Sequence, residues 1–207
     1  MSRVLAILGA GGHGRVVADC AEAAGWDRVV FFDDNPHVAL EGAWKVEGSS
    51  KDLMTRAAGF EGAIVGVGAN RLRLRLTQEL MGAGAHPATL VHPNASVSRY
   101  ASVEAGSVIF AGAVVNVGTR IGRAVVLNTS ATVDHDCVLE DGVHVSPGAH
   151  LAGGVNVGEA SWIGIGAAVR ECTVIGADAV IGAGATVVKP VLSGMTVVGN
   201  PARPLER

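Results

Sequence analysis

The chain has 207 residues, 49% of them hydrophobic and 17% charged, with a net charge of -3. That balance excludes a disordered polymer, and the lack of a basic run leaves nucleic acid nothing to bind. The apolar runs, such as residues 4–8 and 29–32, are too short to cross a bilayer, and no signal-peptide pattern opens the chain. A protein without membrane insertion is therefore expected. The three cysteines, Cys20, Cys137 and Cys172, have no metal-type spacing, which fits a reduced, cytoplasmic setting.

Residues 4–8 read as a buried parallel strand. They run into Gly9-Ala10-Gly11-Gly12-His13-Gly14, a match to G-x-G-x-x-G. A helix follows, with Val16, Val17, Cys20, Ala21 and Ala24 on one face and Gly25 as its stop. A second strand over 28–32 ends in Asp33-Asp34, where a Rossmann unit places its ribose-binding acid. The glycines let a pyrophosphate approach the backbone, and the helix N-terminus offers free N–H groups and a positive dipole end.

Ser49 or Ser50 can cap a short helix reaching about Ala58. Residues 63–67 predict a third strand, which ends in the loop with Gly68 and Asn70. Leu72, Leu76 and Leu80 mark the next helix, and residues 87–91 a fourth strand. In a parallel sheet the three loops fall on one edge. The unit is about half a dinucleotide fold, so a mononucleotide-type ligand is expected.

From Val97 to Val187 every sixth residue is aliphatic. Two residues before each lies a second column of small or β-branched residues, from Ala95 to Ala185. This period of six predicts a parallel β-helix of about five triangular coils. The aliphatic at position i and the small residue at i-2 point inward, i-1 and i+1 point out, and i+2 and i+3 form the corners. Valine pairs such as 114/115, 125/126 and 187/188 force some apolar residues outward. Packing flat faces around a threefold axis would cover them, so a homotrimer is expected.

Within this array the segment Asp134-His135-Asp136-Cys137 stands out. His135 sits at a corner, where packing needs no imidazole. A flanking carboxylate orients such a ring and raises its basicity, which suits a general base. Asn128 is expected near the same corner, and His144 and His150 point out from consecutive strands. Zinc held by His135, His144 and His150 across an interface is one alternative, as in γ-class carbonic anhydrases. A solvated polar corner on a scaffold that binds but does not catalyse is another. Cys137 is an inward filler.

These residues resemble a known family. The Gly-Ala-Gly-Gly-His-Gly loop, the Phe-Asp-Asp strand end, Leu127-Asn128-Thr129-Ser130, Asp134-His135-Asp136-Cys137 and Val198-Gly199-Asn200-Pro201-Ala202 are similar to the bacterial nucleotide-sugar acetyltransferases typified by PglD, with the NeuD sialic acid O-acetyltransferases as relatives. The resemblance implies an α/β Rossmann-like half domain over 1–92 that binds a nucleotide sugar. It implies a left-handed β-helix over 93–207 that binds acetyl-CoA. The implied activity is N-acetylation of an amino sugar on a nucleoside diphosphate, with no metal; a sugar O-acetyltransferase is the alternative. His135 matches the catalytic base, with Asp136 and Asn128 beside it. His144 matches a residue near the acyl group, and Gly153 a backbone donor for the thioester oxygen. Gly164, Ile165, Gly182 and Ala183 match the wall along pantetheine. Gly9, Gly11, Gly12, His13, Gly14, Asp33, Asp34, Gly68 and Asn70 match the nucleotide-sugar site.

Overall fold

The computed structural model describes residues 3–205 apart from 36, 37, 39, 41 and 43. They form two compact units, divided between Pro93 and Asn94.

In the first unit, β1 (Val4–Leu8), β2 (Arg28–Phe32), β3 (Val46–Gly48) and β4 (Gly62–Val65) form a parallel sheet in the order β3-β2-β1-β4. Its helices are α1 (Gly12–Ala23), α2 (Ser50–Arg56) and α3 (Asn70–Gly82). β1 is buried along most of its length because parallel strands here carry helices on their faces, which is why it reads as an unbroken apolar run. Ser49 caps α2 in a capping box with Asp52. The predicted strand over 87–91 is shorter than expected. Pro87 makes a single bridge to Ala63, and only Leu90–Val91 forms a strand, β5.

Two faces differ from expectation. Val16 of α1 is 46% exposed rather than inward. On α3 the buried residues are Asn70, Arg73, Leu74, Thr77 and Leu80, so of the expected Leu72–Leu76–Leu80 stripe only Leu80 is fully buried. The run Leu72-Arg73-Leu74-Arg75-Leu76 offers leucines two residues out of phase, on different sides of the helix. Leu74 and Leu80 are buried, Leu76 packs against the core from the rim of a cleft, and exposed Leu72 lines that cleft.

The second unit is a left-handed parallel β-helix with a triangular cross-section. Each hexapeptide supplies a two-residue strand at i-1 and i, such as Thr132–Val133 or His144–Val145. Strands eighteen residues apart stack in parallel, as His144 does on Trp162. Three faces result. One stacks Ser96–Val97, Val114–Val115, Thr132–Val133 and their successors, the next Ser102–Val103 to Val174–Ile175, and the third Val108–Ile109 to Val180–Ile181. The i and i-2 columns fill the interior, and Val115, Val133, Leu151, Ala131 and Ala149 are all at most 1% exposed. Each buried aliphatic contributes about 1.5–3 kcal/mol, so the stack is held by repetition.

The i+3 slot is left-handed in every corner from Gly106 to Gly184. Glycine often fills it, but Asp136 does so with φ 57°; Asp tolerates this region because its short polar side chain bonds locally. The helix runs past Val187. Val191 bridges to Ile175, and Val197 pairs with Ile181. Those partners are sixteen residues apart rather than eighteen, because the corner at Lys189-Pro190 is two residues short.

Candidate active site

The corner that follows Thr132–Val133 carries the His135 cluster. His135 Nδ1 lies 2.8 Å from Asp136 Oδ2. With Nδ1 donating to that carboxylate, Nε2 is left as the basic nitrogen. The bond to Asp136 is the main reason the imidazole is held above its ordinary range, with the charges of Asp134 and Asp136 adding to it. The pair is exposed, at 58% and 71% for the two side chains, so its value lies in orientation rather than stability. Asp134 accepts from Asn116 Nδ2 at 2.8 Å and from the His135 N–H at 3.0 Å. These bonds hold its carboxyl below the usual range, that from Asn116 most.

Gly153 lies one coil above His135. A Cβ added to it would sit 2.5 Å from His135 Nε2. Gly118 lies one coil below Asp136, and a Cβ there would run into Asp136 Oδ1. Both glycines therefore make room for the pair. Among the described residues, no backbone carbonyl accepts a hydrogen bond from the Gly153 N–H.

Asn128 is not part of this corner. It follows Val126–Leu127 on a different face, one full strand before His135, and its Nδ2 lies 3.2 Å from His144 Nε2. The expectation that Asn128 adjoins His135 in one chain is corrected. A shift of six residues turns the coil by one face, so neighbouring hexapeptides occupy neighbouring corners. Residues share an edge only at an offset of eighteen.

His144 forms a second cluster with Asn128. Its ring stacks on Trp162, with centroids 4.5 Å apart and planes inclined by 28°. Although it occupies an outward slot, His144 is only 5% exposed. Beside it lies an apolar groove of about 490 Å³, lined by Trp162, Val180, Ser146, Pro147, Gly164, Ile165, Gly182 and Ala183. The groove gathers the four residues expected along pantetheine. Trp162 and Val180 were missed; outward residues at i-1 of the same face, eighteen and thirty-six beyond His144, would have pointed to them. Gly164 has a packing reason too, since a Cβ there would press on the Ile181 carbonyl and the Ala183 N–H. His150 is elsewhere, its Nδ1 2.9 Å from Thr132 Oγ1. Among the described residues no group of three His, Cys, Asp or Glu side chains is placed to hold a metal ion. Cys137 is buried, and burial pushes its thiol up.

In the first unit a cleft of about 420 Å³ opens at the carboxyl ends of the strands. Leu8, Gly9, Asp33, Asp34, Val67 and Ser50 line one part of it, and Leu72, Arg75, Leu76 and Glu79 of α3 the other. Asp33 Oδ2 accepts from Ala10 N–H at 2.7 Å, pinning the glycine loop. Asp34 accepts from Ser50 N–H and Oγ at 2.9 and 3.0 Å. The loop glycines divide by task. Gly9 has φ +103°, and a Cβ on Gly14 would run into the Gly9 carbonyl, so these two let α1 pack against the sheet. A Cβ on Gly11, Gly12 or Gly68 would meet nothing, which leaves those positions open to a ligand.

Asn70 is buried and accepts from Arg73 Nη2 at 3.0 Å. Arg73, 1% exposed, also donates to the carbonyls of Val67 and Gly68, and so ties the third loop from behind. Burial and the Arg73 charge push the His13 imidazole down to about 4, so it is neutral at physiological pH.

A left-handed β-helix with a carboxylate-oriented histidine on one edge and an apolar groove on the next defines an acyltransferase of the hexapeptide-repeat class. The comparisons narrow the class. Residues 4–80 match the PglD N-terminal domain. The chain is 44% identical to the acetyltransferase domain of PglB from Neisseria gonorrhoeae FA1090, solved with acetyl coenzyme A, with 99% of this chain and 100% of that one covered and a TM-score of 0.95. It is 35% identical to a GDP-perosamine N-acetyltransferase from Caulobacter crescentus solved with CoA and GDP-perosamine, over 98% and 97% of the two chains, with a TM-score of 0.93. WeeI from Acinetobacter baumannii AYE is 26% identical over 98% and 100%, with a TM-score of 0.88. None of the curated proteins matches the chain. The chain belongs to the PglD-like acetyltransferases of the hexapeptide-repeat family.

Proposed function

We propose that the protein transfers an acetyl group from acetyl-CoA to the amine of an amino sugar carried on a nucleoside diphosphate. One observation carries the reading: His135 holds its Nδ1 on Asp136 and turns Nε2 toward Gly153. The acceptor amine attacks the thioester carbon directly. Nε2 takes the amine proton, and the oxyanion forms against the Gly153 N–H. The C–S bond then breaks, the proton held by Nε2 passes to the leaving sulfur, and CoA departs as the thiol. No acyl-enzyme is needed, which suits a cluster whose only cysteine is buried. The acetyl-CoA bound by the PglB domain and the CoA and GDP-perosamine bound by the Caulobacter enzyme support both substrates.

Two edges of the prism supply the parts. His135, Asp136 and Gly153 lie on one, and Asn128, His144 and the pantetheine groove adjoin another. A six-residue step separates the edges by roughly 15–20 Å at about 3.3 Å per residue. A base must come within hydrogen-bond reach of the proton it takes. One chain cannot therefore put its own His135 against an acetyl group at its own His144. A homotrimer solves this by laying the His135 edge of one copy against the groove of the next. Exposed Tyr100 and Val117, on the His135 edge, would be covered by such packing. The first unit holds the nucleotide sugar at its sheet-end cleft, with Gly11, Gly12 and His13 toward the diphosphate and Asp33 and Asp34 toward the nucleoside. Acetyl-CoA as co-substrate fits a cytoplasmic enzyme.

The test is acetyl-CoA turnover against a panel of UDP- and GDP-linked amino sugars, free amino sugars and sialic acid. Turnover confined to the nucleotide-linked amines supports the reading. Turnover on sialic acid hydroxyls alone makes the protein an O-acetyltransferase, and none on any member ends the proposal.

A further inference from the structure

Directly beneath the His135 corner, eighteen residues earlier, lies Asn116-Val117-Gly118-Thr119. All four residues touch the corner above them, Val117 through its carbonyl, which accepts from the Asp136 N–H at 3.0 Å. Asn116 Nδ2 donates to Asp134 Oδ1 at 2.8 Å. Gly118 leaves the space that Asp136 Oδ1 occupies. Thr119, buried inside the coil at 0% exposure, donates from Oγ1 to the Asp134 carbonyl at 2.7 Å and accepts from the Cys137 N–H at 3.3 Å. The last two bonds bracket the two residues between them, which are His135 and Asp136.

The same device recurs away from the site. Ser107 Oγ donates to the Gly122 carbonyl and accepts from the Val125 N–H. Ser161 Oγ does so for Gly176 and Ala179. An inward hydroxyl at i-2 thus pins the corner eighteen residues on at Ser107, Thr119 and Ser161. The alanines at most other i-2 slots leave their corners without it. The corner that Thr119 pins is the one where a non-glycine residue in left-handed backbone must present its carboxylate to a ring.

We infer that Thr119, with Asn116, is a positioning residue: it fixes the corner backbone so that the Asp136 carboxylate meets His135 Nδ1 and Nε2 faces Gly153. The inference rests on the proposed role of His135 but has a readout of its own. The charged groups facing the imidazole are Asp134 and Asp136. The coil below brings residues 116–119 and the coil above residues 152–155, none of them titratable. The ring's basicity therefore reports its contacts with these two carboxylates, the Asp136 bond foremost.

The experiment compares Thr119→Val, which removes the hydroxyl at nearly constant volume, with Thr119→Ser and Ser107→Ala. Each is examined by NMR titration of the His135 imidazole, assigned by its loss in His135→Ala, and by kcat/KM for acetyl transfer. Thr119→Val is expected to lower the His135 pKa toward that of a free imidazole and to cut kcat/KM roughly tenfold to a hundredfold, the scale of a displacement near 1 Å. Thr119→Ser restores both, and Ser107→Ala, which unpins a remote corner, changes neither. An unchanged His135 titration in Thr119→Val, or an equal loss in Ser107→Ala, overturns the inference. If Thr119→Val does not fold, Asn116→Ala serves, since Asn116 is exposed; it must also lower the His135 pKa, and an unchanged value refutes the inference. If the proposed chemistry fails, the NMR titration still decides the positioning claim.

Discussion

Replacing Gly153 by alanine isolates the contact on which the proposed chemistry turns. The added methyl would sit 2.5 Å from His135 Nε2 and 2.6 Å from its Cε1. Non-bonded heavy atoms settle near 3.5–4.0 Å, so the ring must move by about 1 Å. That motion strains the 2.8 Å bond to Asp136, displaces the basic nitrogen and fills the space beside the Gly153 N–H. A displacement of this size costs on the order of 100-fold in rate. Gly153 is not in left-handed backbone, unlike Gly154 at φ +70°, so alanine there carries no conformational penalty. The assay is release of CoA thiol at saturating acetyl-CoA, with thermal melts as a control for folding. The expected result is a large fall in kcat, little change in the acetyl-CoA KM and an unchanged melt. Wild-type kcat in a folded Gly153→Ala protein would refute the placement of the reacting carbonyl.

Other outcomes follow from the same geometry. A base must be unprotonated, and Asp136 holds His135 above its ordinary range, so kcat/KM rises with pH through that raised value. Asp136→Asn should move this acidic limb to lower pH and reduce the plateau by about tenfold or more; an unmoved limb would exclude His135 as the titrating group. Co-expression of His135→Ala with Ala183→Trp, which blocks the exposed groove wall, should regain activity that neither parent has. With shared sites in a symmetric trimer, roughly a quarter of the sites pair an intact histidine with an intact groove, whereas no recovery would mean that each site lies within one chain. His13, pushed down to about 4 in the folded chain, takes its proton near 6.5 when unfolded. The unfolded state thus binds more protons in that window, and stability falls with pH from 6.5 to 4, by about 3 kcal/mol at most. Urea titrations at pH 7.5 and 4.5 should show a smaller loss in His13→Gln than in wild type, and equal losses would contradict the burial of His13.

The β-helix was legible because its interior repeats one environment. Each inward slot from Val115 to Val187 demands an aliphatic of similar size, so the period survives without tertiary knowledge. The glycine loop was legible for a related reason: Gly9 and Gly14 answer local backbone demands. β3 was missed because its three residues are all half-buried and carry no pattern. On α3, alternating Leu and Arg left the core face ambiguous until Leu74 rather than Leu72 packed inward. The site was half legible. Asp134-His135-Asp136 announced itself by breaking the monotony, but Asn128 was put on the wrong edge because proximity in sequence was read as proximity in space. The inner hydroxyl of Thr119 was hidden in plain view, since a column of small residues gives no hint which of them bond.

The most direct measurement is the turnover number of His135→Ala on the best nucleotide-linked amino sugar, with calorimetric binding of acetyl-CoA and of the sugar nucleotide measured on the same protein. Loss of a general base at this position predicts a fall of about 10²–10⁴-fold in kcat while both ligands still bind. Undiminished turnover by His135→Ala would contradict the assignment of the base, and with it the reading of the corner built around that residue.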